Sequence, residues 1–514
     1  MRNSVSQCHS VVVTAEQMGA IEARLFAAGM PVAALMEKVA GLVARRLQTL
    51  YPREQFPRVG VLVGPGHNGG DALVIARELH ANSYEVIRYQ PFDKLKELTA
   101  THAQYADHLG ISCASQVDDL SECDLIVDGL FGIGLTRSLE GSIAAVVDRL
   151  NQFPQPVVSL DLPSGLHTDT GAVLGTAIRA THTVCLGLWK RAFMQDDALA
   201  FIGTAELIDF DVPAADVAAV VGTPAVQLIT PETAIAALPL PRPPATHKYK
   251  QGHLLLICGS RQYGGAAVLS ALAARASGVG MLSIAIPESL RVPMTLQVPD
   301  AVLVSCPETE TGAIAHLPQD IDLSKYHAIA CGPGLTPHAK SAVQQGLGSD
   351  RPLLLDADGL NILSTLGAIE TLKPRPATTV LTPHWGEFKR LFPQTQEGGD
   401  RLELARLAAQ DSGAIVLLKG ARTAIATQDC VWVNPASTPA LARGGSGDVL
   451  TGLMGGLMAQ AIAHETPVEA AVRSAAWWHA QAGILATQER TELGVDASTV
   501  VRYLVPSLRS AISN

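Results

Sequence analysis

The sequence lacks the features that would mark a disulfide-stabilised or membrane-spanning protein. Its eight cysteines form no CxxC pair, and several lie inside apolar runs such as LLLIC, so we expect buried free thiols. No apolar stretch reaches the roughly 18 residues needed to span a bilayer, and the N-terminal MRNSVSQCHSVVVTAEQ is not a basic region followed by an apolar one. We therefore expect a cytoplasmic protein without a membrane partner. The cysteines are Cys8, Cys113, Cys123, Cys185, Cys258, Cys306, Cys331 and Cys430.

Positive charge and aromatic side chains are also scarce. The formal net charge is −10 and there is no long basic run, which argues against a nucleic-acid partner. Aromatic residues make up only 4% of a chain that is 47% hydrophobic and contains 45 glycines, a composition that favours small aliphatic packing between strands and helices. The expected class is α/β, and a length of 514 residues fits two large domains.

Short β-branched runs that end in glycine and lead into longer helical stretches recur along the chain. This pattern is typical of parallel strands joined by crossover helices. Between about 228 and 252 the pattern is interrupted, and four prolines fall within positions 239 to 244, where they oppose regular helix or central strand. We place a linker there and predict two doubly wound α/β domains, residues 1–228 and 229–514.

A glycine-rich segment and two carboxylates mark the first half. Gly64 to Asp71 is predicted to join the strand VGVLVG to the helix ALVIARELH, so its N–H groups could surround a phosphate at the start of the helix. The glycines could instead serve only a turn of positive φ. Asp128 and Asp161 lie near the ends of two further predicted strands and should converge on the same crevice, although each could simply cap a helix or hold a loop.

The segments HNGGDALVIAR, DGLFGIGL and DLPSG, in this order, resemble the N-terminal domain of NAD(P)H-hydrate epimerases. The resemblance implies a Rossmann-like three-layer domain in which Asn68, Asp128 and Ser164 hold K⁺ and Asp161 faces the reacting ring as general acid and base. His67 stands where the family usually has Asn, and Lys190 stands where it tends to have a lysine, although Lys190 could equally be a solvated structural residue. The implied substrate contacts, besides Asp161, are His67, Asn68, Gly69, Gly70, Asp71, Gly132, Ile133, Gly134, Leu135, Thr136, Arg137 and Ser138.

A second anion site is predicted in the other half. Gly444 to Asp448, GGSGD, precedes a helix rich in small residues, so free N–H groups and a carboxylate would lie together. In ribokinase-like enzymes such an aspartate accepts the proton of the substrate hydroxyl while the helix end stabilises the transferred phosphoryl group. The turn from Lys419 to Thr423 offers positive charge to nucleotide phosphates, or is merely a solvated basic turn. Asp356, Asp358 and His384 follow other strands, and His384 is either a ligand to substrate or a core histidine.

The motifs KYKQGHLLLICGS, DADGLNIL, LTPHWGE, LLKG and GGSGDVLTG together resemble the ADP-dependent NAD(P)H-hydrate dehydratases, which are ribokinase-like. The resemblance implies Asp448 as catalytic base and ADP as phosphoryl donor, with Mg²⁺ held largely by phosphates and water. Gly264 and Trp385 depart from the family pattern. The implied substrate contacts are Ala266, Gly334, His384 and Asp448, and the implied AMP contacts are Lys419, Gly420, Ala421, Arg422, Thr423 and Gly447.

Together the two resemblances predict a repair enzyme, expected to be a homo-oligomer, that epimerises hydrated NADH and NADPH (NADHX and NADPHX) and dehydrates the S form. The expected products are NAD(P)H, AMP and phosphate. Two other interpretations stay open at this point. A ribokinase-like vitamin or sugar kinase would share GGSGD, and the first half could be a scaffolding module of the kind that assembles RNA-processing complexes.

Overall fold

A computed structural model of the chain describes residues 10–395 and 400–513. It divides into two compact units with the boundary between Pro224 and Ala225. Both are α/β, so the predicted class of two doubly wound domains is confirmed. Within the described residues, no helix has both the length and the apolar character needed to cross a membrane.

The first unit is built on a sheet of seven parallel strands in the order β4-β3-β2-β5-β6-β7-β9, with a separate parallel pair, β1-β8. Its strands are β1 Val12–Val13, β2 Arg58–Val63, β3 Glu85–Tyr89, β4 Ser112–Ala114, β5 Leu125–Gly129, β6 Val157–Leu160, β7 His182–Leu186, β8 Trp189–Lys190 and β9 Thr204–Ile208. Its helices are α1 Ala15–Ala27, α2 Val32–Leu50, α3 His67–Ala81, α4 Glu97–His108, α5 Gly141–Leu150, α6 Leu199–Ile202 and α7 Ala214–Val221.

Helices cover both faces of this sheet, which is why its central strands are apolar on both sides. Val61 and Val63 of β2 belong to a core shared with α1, α2 and α3, whereas Leu62 belongs to the core on the α5 side. The strand order reverses between β2 and β5. Ligands of doubly wound folds bind at the carboxyl ends of strands at such a reversal.

The second unit has a sheet of ten strands in the order β10-β19-β18-β17-β16-β15-β14-β11-β12-β13, parallel except where β18 pairs with β17 and β19. Its strands are β10 Val226–Leu228, β11 His253–Ile257, β12 Met281–Pro287, β13 Val302–Cys306, β14 Ala328–Cys331, β15 Leu353–Leu355, β16 Thr379–Leu381, β17 Ile415–Leu418, β18 Ala424–Ala426 and β19 Val431–Val433. Its helices are α8 Pro231–Ala236, α9 Gly264–Ala276, α10 Arg291–Gln297, α11 Lys340–Leu347, α12 Asp358–Leu366, α13 Ala368–Leu372, α14 Trp385–Leu391, α15 Arg401–Ser412, α16 Ser446–Ala463, α17 Val468–Arg490 and α18 Ala497–Ser513.

Helix α16 is buried along nearly its whole length because its small residues allow close approach to neighbouring elements. A Cβ atom added to Gly452 would lie 1.9 Å from the Ser270 carbonyl oxygen of α9, so only glycine fits there. The strand order of this sheet reverses between β11 and β14. The start of α16 and the ends of β15 and β17 provide the residues of the second site described below.

Two details differ from the sequence-based expectations. The stretch from 228 to 252 contains α8 and a 3₁₀ helix, Lys248–Gln251, and β10 pairs with β19 of the second sheet. The proline cluster itself is irregular, because proline lacks the N–H that either regular structure needs. Cys113 is exposed, contrary to the expected burial, because β4 is a short strand at the edge of its sheet. Cys8 lies outside the described residues.

Two candidate active sites

The glycine-rich segment of the first unit is mostly helical. Helix α3 begins at His67, five residues before the predicted start, and only Gly64 to Gly66 form the turn after β2. A Cβ on Gly69 would lie 2.0 Å from the Gly64 oxygen, so glycine at 69 lets the helix start close to the strand end. The first N–H groups of α3 therefore face the crevice at the strand-order reversal, as an anion site requires.

A cavity of about 460 Å³ opens at this position. It brings together most of the predicted substrate contacts, including Asn68, Asp71 and Asp161. Gly69 and Gly70 are buried within α3, and Ser138 is exposed; none of the three is part of the cavity wall. The other predicted contacts on the wall are His67, Gly132, Ile133, Gly134, Leu135, Thr136 and Arg137.

Asp128 is a buried carboxylate surrounded by neutral donors. Its oxygens accept hydrogen bonds from Ser164 Oγ at 2.7 Å, Ser164 N at 3.0 Å, Ser159 Oγ at 2.8 Å and Leu130 N at 3.2 Å. Burial raises the pKa of Asp128, and the bonds from Ser164 and Ser159 oppose that rise. The Asp128 carboxylate and the Ser164 hydroxyl thus lie together, and oxygen atoms of these kinds are suited to bind a hard cation.

Asp161 forms a buried ion pair with Lys190, whose Nζ also donates to the Leu186 carbonyl oxygen at 2.5 Å. Lys190 is 1% exposed, so the alternative of a solvated lysine is wrong. Burial works against the charge of Lys190, but its contact with Asp161 raises its pKa. Asp161 has a φ of +64°, a strained conformation for this residue, and such strain is commonly found at functional sites.

In the second unit, Asp448 lies in the first turn of α16. This helix begins at Ser446, whereas the sequence predicts a start after Gly444 to Asp448. Gly445 precedes the helix with a φ of +89°, a conformation that favours glycine. Burial raises the pKa of Asp448 to about 6, with a further contribution from the charge of Asp356 and opposition from Lys419. A carboxylate with this pKa is well suited to accept a proton near neutrality.

Asp356 and Lys419 form a second ion pair beside Asp448. The Lys419 Nζ lies 2.6 Å from Asp356 Oδ1, and Thr451 Oγ1 donates to Asp356 Oδ2 at 2.7 Å. An added Cβ on Gly447 would lie 3.2 Å from Lys419 Nζ, so the start of α16 and the end of β17 meet. A solvated basic turn is therefore wrong for Lys419, whose ammonium is held against this helix.

The rest of the predicted cleft surrounds this ion pair. Arg401 donates to the carbonyl oxygens of Lys419 and Arg422, both at 2.8 Å, which anchors the turn that also contains Gly420, Ala421 and Thr423.

The His384 side chain is 59% exposed and its Nδ1 accepts from Gly386 N at 3.0 Å, so it caps α14 and is not a core histidine. Gly334 approaches Ala266, since a Cβ added at 334 would lie 2.9 Å from that of Ala266.

Sequence reasoning missed three charged residues at these sites. Glu22 lines the first cavity, Arg401 anchors the turn from Lys419 to Thr423, and Glu387, whose pKa is raised by burial, lies near Lys419. For Glu22 a signal existed, because it follows Met18 by four residues and precedes Leu25 by three, which places a carboxylate on the buried stripe of α1. Arg401 and Glu387 carry no comparable signal in their own segments.

Comparison with known proteins assigns a family to each half. The model of the YjeF-related protein N-terminus matches residues 32–192, and that of NAD(P)H-hydrate dehydratase matches residues 254–506. Bifunctional NAD(P)H-hydrate repair enzymes align along almost the whole chain. That of Thermosynechococcus vestitus is 53% identical over 504 residues, covering 98% of each chain, and that of Gloeobacter violaceus is 48% identical over 510 residues, again covering 98% of each.

A solved structure resembles the second unit. The ADP/ATP-dependent NAD(P)H-hydrate dehydratase of Bacillus subtilis, co-crystallised with ATP and Mg²⁺, is 32% identical, with a TM-score of 0.47, and the match covers 55% of this chain and 98% of that chain.

Proposed function

Because this chain belongs to the family of bifunctional NAD(P)H-hydrate repair enzymes, we propose that residues 1–228 interconvert the R and S epimers of NADHX and NADPHX, and that residues 229–514 dehydrate the S epimer with ADP. The products of the second reaction are NAD(P)H, AMP and phosphate. The observation that supports the dehydratase chemistry best is Asp448, a carboxylate with a pKa of about 6 at the start of a buried helix and beside the Asp356–Lys419 pair.

Epimerisation requires the hydroxyl at C6 of the reduced ring to leave and water to add to the other face. The ring nitrogen lone pair can expel the hydroxyl, so the protein needs mainly to bind the nucleotide and move protons. In our proposal the start of α3 and the loop from Gly132 to Arg137 hold the dinucleotide. Asp161 exchanges protons at the ring, and its position on the cavity wall, with Lys190 behind it, supports this role.

We assign K⁺ to the oxygen atoms of Asn68, Asp128 and Ser164. The buried carboxylate of Asp128 supports this assignment, because neutral donors alone surround it. Asn68 also lines the cavity, and its side-chain oxygen is a ligand of the kind that a hard cation prefers. When bound, the ion would offset phosphate charge and hold these loops.

For the dehydratase we propose that Asp448 takes the proton of the C6 hydroxyl as it attacks the terminal phosphoryl group of ADP. The N–H groups at the start of α16, including that of Gly447, stabilise the transferred phosphoryl group. Phosphorylation converts the hydroxyl into a good leaving group, which the ring nitrogen then expels as phosphate. Ala266, Gly334 and His384 would contact the hydrated dinucleotide.

The nucleotide is assigned to the turn from Lys419 to Thr423, where Arg401 holds the backbone. Mg²⁺ would neutralise phosphate charge. The ion would be held largely by phosphates and water, as Mg²⁺ usually is at phosphoryl-transfer sites. Because both reactions act on nicotinamide nucleotides, we also propose a cytoplasmic location. That the protein is a homo-oligomer stays a prediction.

Product analysis of the full chain tests this function against the two alternatives. With a mixture of both NADPHX epimers, ADP, Mg²⁺ and K⁺, we expect complete conversion to NADPH with one AMP and one phosphate per turnover. A kinase of the vitamin or sugar type would instead leave a stable phosphoester. If the first unit were only a scaffold, the S epimer would be consumed, whereas the R epimer would disappear only at the rate of uncatalysed epimerisation.

The raised pKa of Asp448 predicts the acid limb of the dehydratase pH profile. As a base, Asp448 must be ionised, so kcat/KM for the S epimer at saturating ADP should be level above about pH 6 and fall about tenfold per pH unit below it. Initial rates between pH 5 and pH 8 measure this. A profile that stays flat down to pH 5 would contradict the role of Asp448 as base.

A further inference from the structure

Four charged groups surround the inner part of the epimerase cavity. Glu22 of α1, Asp71 of α3, Asp161 after β6 and Lys190 of β8 all line it, so four separate elements contribute to one cluster. Three of these side chains are acidic and one is basic. If all of them were ionised the cluster would carry two excess negative charges in a place that is poorly accessible to water.

The contacts within the cluster distinguish one carboxylate from the other two. Lys190 is in direct contact with Asp161, so its positive charge stabilises the Asp161 carboxylate. Glu22 and Asp71 have no such contact with Lys190 among the hydrogen bonds and ion pairs of the described residues. Burial, and after it the charge of Asp161, raises the pKa of both Glu22 and Asp71. The pKa of Asp71 lies well above the ordinary value for an aspartate. The cavity thus places one carboxylate that is paired with a buried ammonium beside two carboxylates that are not.

Epimerisation needs this combination. The C6–O bond cannot break easily unless the departing hydroxyl receives a proton, and the water that adds to the opposite face must lose one. A single carboxylate cannot be protonated and ionised at the same time. Glu22 and Asp161 come from different elements of the cavity wall, so one can serve the departing oxygen and the other the incoming water.

We propose, on the basis of the epimerase function proposed above, that Glu22 is a second catalytic residue, the acid that protonates the departing C6 hydroxyl while Asp161 is the base for the incoming water. The C6–O electron pair leaves on oxygen, which takes the Glu22 proton and becomes water, as the ring nitrogen forms a C=N⁺ bond. Water then adds to C6 and gives a proton to Asp161. Glu22 is then ionised and Asp161 is protonated. Asp71 donates its proton to Glu22 and accepts the proton of Asp161, which restores the starting state.

Glu22→Gln in the full chain tests this proposal. Without ADP, so that the second site is idle, we expect kcat for conversion of R to S NADHX to fall about 10²-fold, and exchange of the C6 hydroxyl with ¹⁸O-labelled water to fall in parallel. The matched control is Glu16→Gln, an exposed carboxylate on the same helix, which should keep the wild-type rate. Dehydration of pure S epimer by Glu22→Gln should also be unchanged, which shows that the second unit is intact, and an unchanged KM for R-NADHX shows that the first unit is folded.

A pH profile separates an acid from a structural residue. Wild-type kcat/KM for epimerisation should fall at high pH as Glu22 loses its proton, and Glu22→Gln should lack this limb; His67, Lys96 and Arg137 also line the cavity and are unchanged in the variant. A Glu22→Gln enzyme within threefold of wild type, or one affected only in KM, would overturn the proposal. An inactive wild-type epimerase would instead overturn the proposed function itself.

Discussion

Replacing Asp448 with Asn is expected to lower the kcat of dehydration about 10³- to 10⁴-fold. The amide cannot accept the proton of the attacking hydroxyl, and general-base catalysis by a positioned side chain is worth about 10²- to 10⁴-fold. The loss should fall mainly on kcat, because the turn from Lys419 to Thr423 still binds nucleotide. Steady-state formation of NADPH from S-NADPHX and ADP measures the effect.

The control for this variant is Asp411→Asn, which changes an exposed aspartate of α15 in the same unit and should leave kcat unchanged. Epimerisation by Asp448→Asn should also be unchanged, because Asp161 and the first cavity are in the other unit. A variant that retains more than a tenth of wild-type kcat would show that another group accepts the proton.

Replacing Lys190 with Met should destabilise the first unit by about 3–5 kcal/mol and stop epimerisation. Removal of one partner of a buried ion pair leaves the other as an uncompensated buried charge, which is strongly destabilising. Asp161 would be left in that state, since it is 8% exposed. Epimerisation would stop because, without the Lys190 ammonium, Asp161 no longer has the cation that stabilises its carboxylate as the base. Urea unfolding of the full chain, followed with a probe in the first unit, measures the loss.

The double variant Lys190→Met with Asp161→Asn separates the two effects. Because it removes both charges, much of the lost stability should return, while epimerisation should remain slow without the Asp161 carboxylate. If Lys190→Met alone unfolds at the same urea concentration as wild type, the ion pair contributes nothing to stability and the buried lysine needs another explanation.

Much of the fold could be predicted from local pattern. Runs such as VGVLVG and PLLLDADG are apolar on both faces and end in glycine or a polar residue; β2 overlaps the first run and β15 lies within the second. The sequence does not predict the strands β18 and β19, because no longer apolar run marks them and their antiparallel pairing depends on the tertiary structure. The starts of α3 and α16 were placed too late, because glycines, which disfavour helix in isolation, are needed there for close packing.

The candidate sites were predictable where the residues stand next to each other. His67 to Asp71 and Gly444 to Asp448 form contiguous motifs, and the carboxyl ends of parallel strands bring such motifs to one edge. Glu22 lies on the buried stripe of an amphipathic helix, but it is not part of a contiguous motif that would mark a site. Burial of Lys190 could not be predicted either, since a lysine at the end of a short strand is more often solvated.

The sequence by itself determined the α/β class, the motifs at the strand ends and the reaction types that their side chains can support. Those properties follow from residues close together in the chain. Only the tertiary structure decided which carboxylates have a cation beside them. Asp161 faces Lys190 and two other carboxylates across the cavity, and Asp356 meets Lys419 and Thr451, which lie 63 and 95 residues further along. Ionisation depends on burial and on through-space neighbours, and both arise only when distant segments pack together.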